Sequence, residues 1–356
     1  MSVVPRRSVL LATGSALPER VVTNEELAER VGLSPSAIAA RTGIRCRRWA
    51  APTQATSDLA LRASEAALKQ AGYDGRQLDA VIVSTTSPDY FFPSTACLVQ
   101  RDLRAEHAVA FDVAASCTGF LTALSVGDQM IRAGAARRVL VIGAEIKSRA
   151  LDPADRSTAI LFGDGAGAAL LVSVDATFHD GAGFHTSRLG ADGSGAALIH
   201  LPAGGSRQPT SSDTLASNLH TMRMNGPSVY RKAVTTLVRN VRSLLEESGL
   251  SIGNVTHALF HQANQRLLDQ VTYRLGLTTD QCISTIAETG NTSSASLPIA
   301  LDQASRQGRF REGDLLLLAT FGGGLTWGTA LLRWGAGRIT TSATEPVTSP
   351  AAESHH

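Results

Sequence analysis

The chain has 356 residues, 43% of them hydrophobic and 18% charged, with 33 basic against 31 acidic side chains and a net charge of +2. That balance suits a soluble globular protein with length enough for two domains or one of double size, and it argues against a general nucleic-acid binder. The four cysteines, Cys46, Cys97, Cys117 and Cys282, show neither CxxC pairing nor metal-like spacing with histidine. A reducing, cytoplasmic setting is therefore expected, with no disulfide framework and no structural metal.

At the N-terminus, Arg6 and Arg7 precede the apolar run VLLA and the small residues GSA, the order of a secretory leader. The run is short for one, and the same residues read as a first strand over 8–13 that ends at Gly14. Next comes SDLALRASEAALKQAG (57–72), whose apolar residues recur at three and four, a helix. Strand-length runs follow at 78–86 and 109–116, a helix at 119–134, and two more runs at 137–145 and 165–173. Further on, VTHALFHQAN (255–264), a helical pattern within 287–304, GDLLLLATFGGG (313–324) and TWGTALLRW (326–334) repeat the order. Apolar runs of this kind predict a mostly parallel sheet core covered by helices. No run approaches the length of a transmembrane helix, so no membrane partner is expected. The last twenty residues, 337–356, are rich in Ser, Thr, Pro and Ala without an apolar period and read as a disordered tail.

The repeated order has a near-constant spacing. Leu140 and Leu317 stand 177 positions apart, Val81 and Leu259 stand 178 apart, and Cys117 falls opposite Ser294 at 177. Three landmarks at a near-constant offset support an internal duplication. The last pair of strands, GAALLV and GTALLR, is closer by roughly 16 residues, which places an extra segment of that size in the first half. Its expected home is the connection between 148 and 165, around the polar run DPADRSTA (152–159). Two duplicated halves set their strand ends side by side, and a cleft is expected between them.

Three polar residues fall at strand-to-helix junctions facing that cleft. Cys117, in DVAASCTGF, opens a helix, where the dipole and free N–H groups favour thiolate. His261 follows the strand ALF in FHQAN, and Asn291 precedes the helix in ETGNTSSAS. Each alone has a plain structural reading as a buried thiol, a core histidine or a capping amide. Together they allow nucleophilic catalysis, with an amide N–H₂ beside an imidazole to hold a developing oxyanion.

The ordered motifs LATGSALPERVVTNEEL (11–27), ARTGIRCRR (40–48), STTSPDYFFPSTACLVQ (84–100), FDVAASCTGF (111–120), DPADRSTAILFGDGAGAALL (152–171), FHQANQR (260–266), GNTSSASLPIAL (290–301) and FGGGLTWG (321–328) resemble the 3-oxoacyl-(acyl carrier protein) synthase III family of the thiolase-like superfamily. The resemblance covers about residues 7 to 335. It implies an α/β, five-layered αβαβα thiolase-like fold built from two duplicated halves. One half, 1–180, would carry the nucleophile, and the other, 181–336, the His and Asn. It implies that Cys117, His261 and Asn291 are catalytic, and that the backbone N–H groups of Cys117 and Gly323 form an oxyanion hole. The reaction it implies is a decarboxylative Claisen condensation. Cys117 would take the acyl group of a thioester, and a malonyl thioester would then lose CO₂ and attack the acyl-cysteine. No cofactor is implied beyond coenzyme A or phosphopantetheine thioesters as substrates. By the same resemblance, Arg41, from a basic cluster that also holds Arg45, Arg47 and Arg48, and Arg156 would meet the coenzyme moiety, and Arg266 and Arg231 an acyl carrier protein. Phe92 from the partner subunit of a homodimer, with Met222 and Met224, would bound the acyl pocket. Asn264 and Phe321 complete the expected substrate-binding set. One departure stands out: Ala37 occupies a position where family members usually carry a tryptophan that stacks on adenine.

Other classes remain open at this stage. Some relatives pass the acyl group to an alcohol, an amine or a carrier protein without condensation, usually with an altered triad, whereas Cys117, His261 and Asn291 are intact. Thiolase itself would need a second cysteine motif near the C-terminus, and Cys282 lies outside any glycine-rich loop. The chalcone-synthase branch shares the triad, but FGGGLTWG and ARTGI fit synthase III better, and a non-catalytic chain-length partner would lack the nucleophile. The pathways open to such an enzyme are fatty-acid initiation and the assembly of a polyketide or other secondary metabolite.

Overall fold

The computed structural model describes residues 6–175 and 181–335. The expected tail at 337–356 and the division at 180/181 lie outside the described residues. Ten strands make two five-stranded sheets. We label them β1 (Arg6–Ala16), β2 (Ala80–Ser84), β3 (Val109–Val113), β4 (Arg138–Glu145), β5 (Gly165–Asp175), β6 (Gly183–Ala191), β7 (His257–Phe260), β8 (Cys282–Ile283), β9 (Leu315–Gly322) and β10 (Thr326–Arg333). The first sheet runs β1-β5-β4-β2-β3 and the second β6-β10-β9-β7-β8. Each strand in one sheet thus has its counterpart five strands later, at the same place in the order. The duplication inferred from spacing is a duplication of topology.

The expected mostly parallel core is met in strand direction, with one reversed strand in each sheet that makes both sheets mixed. In each sheet two pairings are parallel and two antiparallel, because β5 in the first half and β10 in the second run against both their neighbours while the other four strands point one way. The reversal of β10 follows from connection length. Only 323–325 separates β9 from β10, and so short a link joins antiparallel strands alone. Burial on both faces, which prompted the parallel reading, reflects helices on each side and says nothing of direction. The expected extra segment is where the spacing placed it: the matching connection from β4 to β5 spans 146–164, nineteen residues against three.

Six helices follow the same duplication: α1 (Thr56–Ala71), α2 (Thr95–Asp102), α3 (Gly119–Arg132), α4 (Gly226–Glu247), α5 (Gln265–Leu275) and α6 (Ser296–Arg306). Strand residues alternate between faces, and so between cores. On β4, Val139 and Val141 point to a central core with Phe120, Leu121 and Leu124 of α3, Leu297 and Leu301 of α6, and Leu316 and Leu318 of β9. Leu140 and Ile142 turn to an outer core with Leu59, Ala63 and Ala67 of α1. On the far side, Leu317 and Ala319 of β9 meet Leu237 and Val241 of α4 and Val271 of α5. The layers are therefore α1/α2, sheet, α3/α6, sheet, α4/α5, the αβαβα order. Among the described residues no helix is long and apolar enough to cross a membrane.

Small elements cap one end of this sandwich. A hairpin pairs Val21–Thr23 with Cys46–Arg48, and the helices Asn24–Val31 and Pro35–Thr42 pack Val22, Leu27 and Ile38 against Ala159 and Ile160 of the 146–164 connection. That connection also bridges to the second half. Gly163 N–H donates to the Asn291 carbonyl at 3.0 Å, and Asn291 N–H donates to the Leu161 carbonyl at 2.8 Å. The extra segment of one half thus holds a predicted site residue of the other.

Candidate active site

Cys117 lies in a 3₁₀ turn, Ser116–Thr118, between the end of β3 and α3, and Ser293–Ala295 forms the matching turn before α6. The residue opening each turn has a positive φ, 51° at Ser116 and 52° at Ser293, a conformation that costs a non-glycine residue strain and is held only where surrounding contacts fix it. The turn aims Cys117 into the gap between the halves. There β9 closes on it so tightly that a Cβ on Gly322 would come within 2.8 Å of the Cys117 backbone nitrogen. Glycine at 322 is a requirement of that approach.

His261 follows β7 directly, its N–H donating to the Ala319 carbonyl at 2.9 Å, and its side chain is buried. Nδ1 lies 2.6 Å from Ser296 Oγ, which also accepts from the Gln262 N–H at 3.3 Å. When the serine hydroxyl donates to Nδ1, the ring carries its proton on Nε2, the end facing the cleft. Asn291 Oδ1 accepts from the Ser293 N–H at 2.9 Å. That bond ties the amide oxygen to the loop and leaves the N–H₂ for the cleft. Burial pushes the Cys117 thiol up, but His261, a hydrogen bond from Ser293 and the charge of Lys147 outweigh it, and the thiol is brought down to about 7. A cysteine in this state is a competent nucleophile near neutral pH.

These three residues line one cavity of about 820 Å³. Gly323, Arg41, Arg156, Met224, Asn264, Phe321 and Arg266 line it too. The three arginines are exposed and so sit toward its mouth, while Ile160, Leu161, Val229, Ala233, Leu237 and Leu267 make its walls apolar. Asn264 borders the cavity as expected and is also tied to the backbone around it. Its Oδ1 caps α5 by accepting from the Arg266 N–H at 2.9 Å, and its Nδ2 donates to the Arg41 carbonyl at 3.2 Å, so it fixes the two arginine backbones.

The remaining residues of the expected set fall outside the cavity lining, as expected of Arg231 at the rim and of Phe92 toward a partner subunit. Met222 does not border the cavity; it is buried with Leu151 and Phe162 beneath the cap. Of the basic cluster, only Arg41 reaches the cleft. Arg47 is fully buried, donating to the Val22 and Ile160 carbonyls and to Asn24 Oδ1. Arg45 pairs with Glu288, and Arg48 donates to the Pro18 and Glu19 carbonyls. Arg231 is exposed on α4 one residue beyond the lining residue Tyr230, its guanidinium on Ser228 Oγ. Phe92 is 86% exposed and lies away from this cavity, in a run with Tyr90 and Phe91. Sequence reasoning passed over Ser296, Ser293, Glu145 and Lys147, whose roles depend on which chain segments meet.

Two family models match the chain: 3-oxoacyl-[acyl-carrier-protein (ACP)] synthase III over 111–193, and the C-terminal region of the same family over 245–334. The β-ketoacyl-[acyl-carrier-protein] synthase III of Caldanaerobacter subterraneus subsp. tengcongensis is 45% identical over 325 residues, 91% of this chain and 97% of the relative. Among solved structures, the 3-oxoacyl-(acyl carrier protein) synthase III of Pseudomonas aeruginosa PAO1 matches with a TM-score of 0.84 at 40% identity, covering 92% of this chain and 98% of that one. The priming β-ketosynthase of a polyketide biosynthetic pathway matches with a TM-score of 0.85 at 35% identity, over 94% and 98%. With its duplicated five-layer sandwich and a cysteine, a histidine and an asparagine meeting in the cleft between the halves, this chain belongs to the 3-oxoacyl-(acyl carrier protein) synthase III family.

Proposed function

We propose that this protein condenses an acyl thioester with a malonyl thioester by decarboxylation, as a priming ketosynthase of fatty-acid initiation or of a polyketide or related pathway. The observation that carries it is the meeting of Cys117, His261 and Asn291 on one apolar cavity with arginines toward its mouth. In the first step the Cys117 thiolate attacks the thioester carbonyl. The tetrahedral oxyanion takes hydrogen bonds from the Cys117 and Gly323 N–H groups, and the coenzyme A or carrier thiolate leaves with a proton. In the second step the malonyl carboxylate departs as CO₂. The enolate oxygen left behind accepts from His261 Nε2–H and the Asn291 N–H₂, donors already fixed by Ser296 and by the Ser293 N–H. The carbanion then attacks the acyl-Cys117 carbonyl, and the thiolate is released with formation of the 3-oxoacyl thioester.

Arg41 and Arg156 are the expected partners of coenzyme A phosphates, and Arg266 with Arg231 of the carrier-protein surface, since guanidinium groups bind phosphate and carboxylate in fork geometry. The exposed run Tyr90, Phe91 and Phe92 is the expected interface of a homodimer, through which Phe92 would enter the partner's acyl pocket alongside Met224. The cytoplasmic setting belongs with this proposal.

Intact mass spectrometry after incubation with a panel of acyl-coenzyme A and acyl-carrier thioesters identifies the primer by the mass added at Cys117. Release of CO₂ from a malonyl thioester then tests condensation. A wild-type enzyme that acylates but releases no CO₂, passing its acyl group to an alcohol or amine instead, overturns the condensation reading in favour of acyl transfer.

A further inference from the structure

Cys117 has a second set of neighbours that the condensation does not use. Glu145 ends strand β4, fully buried, and its carboxylate accepts from Ser87 Oγ at 2.6 Å, the Thr86 N–H at 3.1 Å and Ser293 Oγ at 3.1 Å. Lys147, 7% exposed, holds Nζ at 3.0 Å from Glu145 Oε2 and donates to Thr86 Oγ1. Ser293 Oγ in turn lies 3.5 Å from Cys117 Sγ. One hydroxyl therefore separates a buried ion pair from the nucleophile. Neither Glu145 nor Lys147 lines the substrate cavity.

A buried ion pair is a poor device for stability alone, because desolvation offsets most of its attraction and apolar residues of similar volume do as well. Its placement here has a structural logic. Glu145 and Gly322 stand 177 positions apart, each the last residue of the middle strand of its sheet. In the second half, glycine leaves that corner open so that β9 reaches Cys117; in the first, a carboxylate fills the corner beneath Ser293. The Ser293 hydroxyl has a single proton and two acceptors competing for it. With Cys117 as a thiol, S–H donates to Ser293 Oγ and Ser293 donates to Glu145. With Cys117 as a thiolate, the serine proton turns to sulfur and the carboxylate must do without it.

We propose that the Glu145–Lys147 pair is a positioning element for Cys117, in which Lys147 and Ser87 hold the carboxylate and so free the Ser293 hydroxyl to turn to the sulfur as it becomes anionic. This rests on the reading of Cys117 as the nucleophile. The other titratable groups around the pair are Cys117 itself, His261 across the cleft from the second half, and Asp164, which lies beyond Lys147 and accepts from Ser148 and the Ala50 N–H. Lys147 is thus the cation nearest the carboxylate. Its charge also draws the Cys117 thiol down, in concert with His261 and Ser293.

The test is alkylation of Cys117 by iodoacetamide across pH, with peptide mapping to score that residue and melting curves to compare folds. Lys147→Met is expected to raise the alkylation midpoint by about one pH unit, a tenfold slower reaction below it. Glu145→Gln keeps the shape, removes the negative charge and is expected to lower the midpoint, while Lys147→Arg restores the wild-type value. A merely structural pair would lower melting temperatures and leave the midpoints where they were. Midpoints unmoved in both charge-removing variants, or moved in the same direction, overturn the proposal. Where Lys147→Met does not fold, Glu145→Gln decides alone: a downward shift supports the proposal and no shift overturns it. The assay contains no thioester, so a wild type that releases no CO₂ counts against condensation and leaves this result standing.

Discussion

Replacing Asn291 separates the two chemical steps, and two substitutions separate its two bonds. The side chain does double duty: Oδ1 accepts from the buried Ser293 N–H at 2.9 Å, and the N–H₂ faces the cleft. Asn291→Ala deletes both. An unsatisfied buried N–H costs about 1–3 kcal/mol of stability, and loss of an oxyanion donor costs about 10²–10³ in rate, or roughly 2.7–4 kcal/mol of barrier. Asn291→Asp keeps an oxygen for Ser293 and replaces the donor by an anion opposite the enolate. Release of CO₂ from a malonyl thioester, followed as trapped label, should fall by about 10² or more in both variants. Melting temperature should fall in the alanine variant and stay near wild type in the aspartate one. Acyl-Cys117 should still form in both, because acylation draws on the thiolate and the Cys117 and Gly323 N–H groups. Either variant releasing CO₂ within threefold of wild type would refute Asn291 as the enolate donor, whatever its effect on stability.

The pH dependence of acylation follows from the thiol. Brought down to about 7, the Cys117 group is half thiolate there; the acylation rate should fall about tenfold per unit below that pH and level off above it, where an ordinary thiol would still be gaining rate up to 9. A profile still rising steeply at pH 8.5 would contradict the electrostatic account. Light scattering at micromolar concentration is expected to give about twice the 37.3 kDa chain mass, with Phe91→Glu shifting the population toward monomer because it places charge in the exposed aromatic run. A wild-type monomer that turns over would remove Phe92 from the acyl pocket. Arg47→Ala is expected to destabilise by about 3–5 kcal/mol, since it leaves the Val22 and Ile160 carbonyls and Asn24 Oδ1 without their donor and opens a cavity under the cap. The thermal transition should drop accordingly, and an unchanged melting curve would show the buried guanidinium to be dispensable.

Strands and helices were legible because their apolar period records which faces are buried, and the duplication because two halves with one topology keep one spacing. The 16-residue discrepancy between GAALLV and GTALLR was a faithful record of the 146–164 connection for the same reason. The one reversed strand of each sheet was not legible, since a run covered by helices on both faces looks alike whichever way it points. Cys117 and His261 could be read because each follows a strand end, and strand ends of a duplicated sandwich converge; Asn291 instead lies between the short helix Ile286–Thr289 and the turn Ser293–Ala295. The arginines could not be sorted that way. Arg41 and Arg47 lie six residues apart in one basic run, yet one sits toward the cavity mouth and the other is fully buried among carbonyls. Which of them is buried is decided by Ile160 and Asn24, contributed by segments more than twenty residues from Arg47 in the chain. Glu145 and Ser293 lie still further apart, 148 positions, and each alone reads as an ordinary strand-end acid and helix-turn serine. Only when the halves close does the carboxylate stand one hydroxyl from the sulfur. The residues that tune this nucleophile therefore belong to the contact between the halves, and local sequence pattern carries no signal for a contact made at that distance.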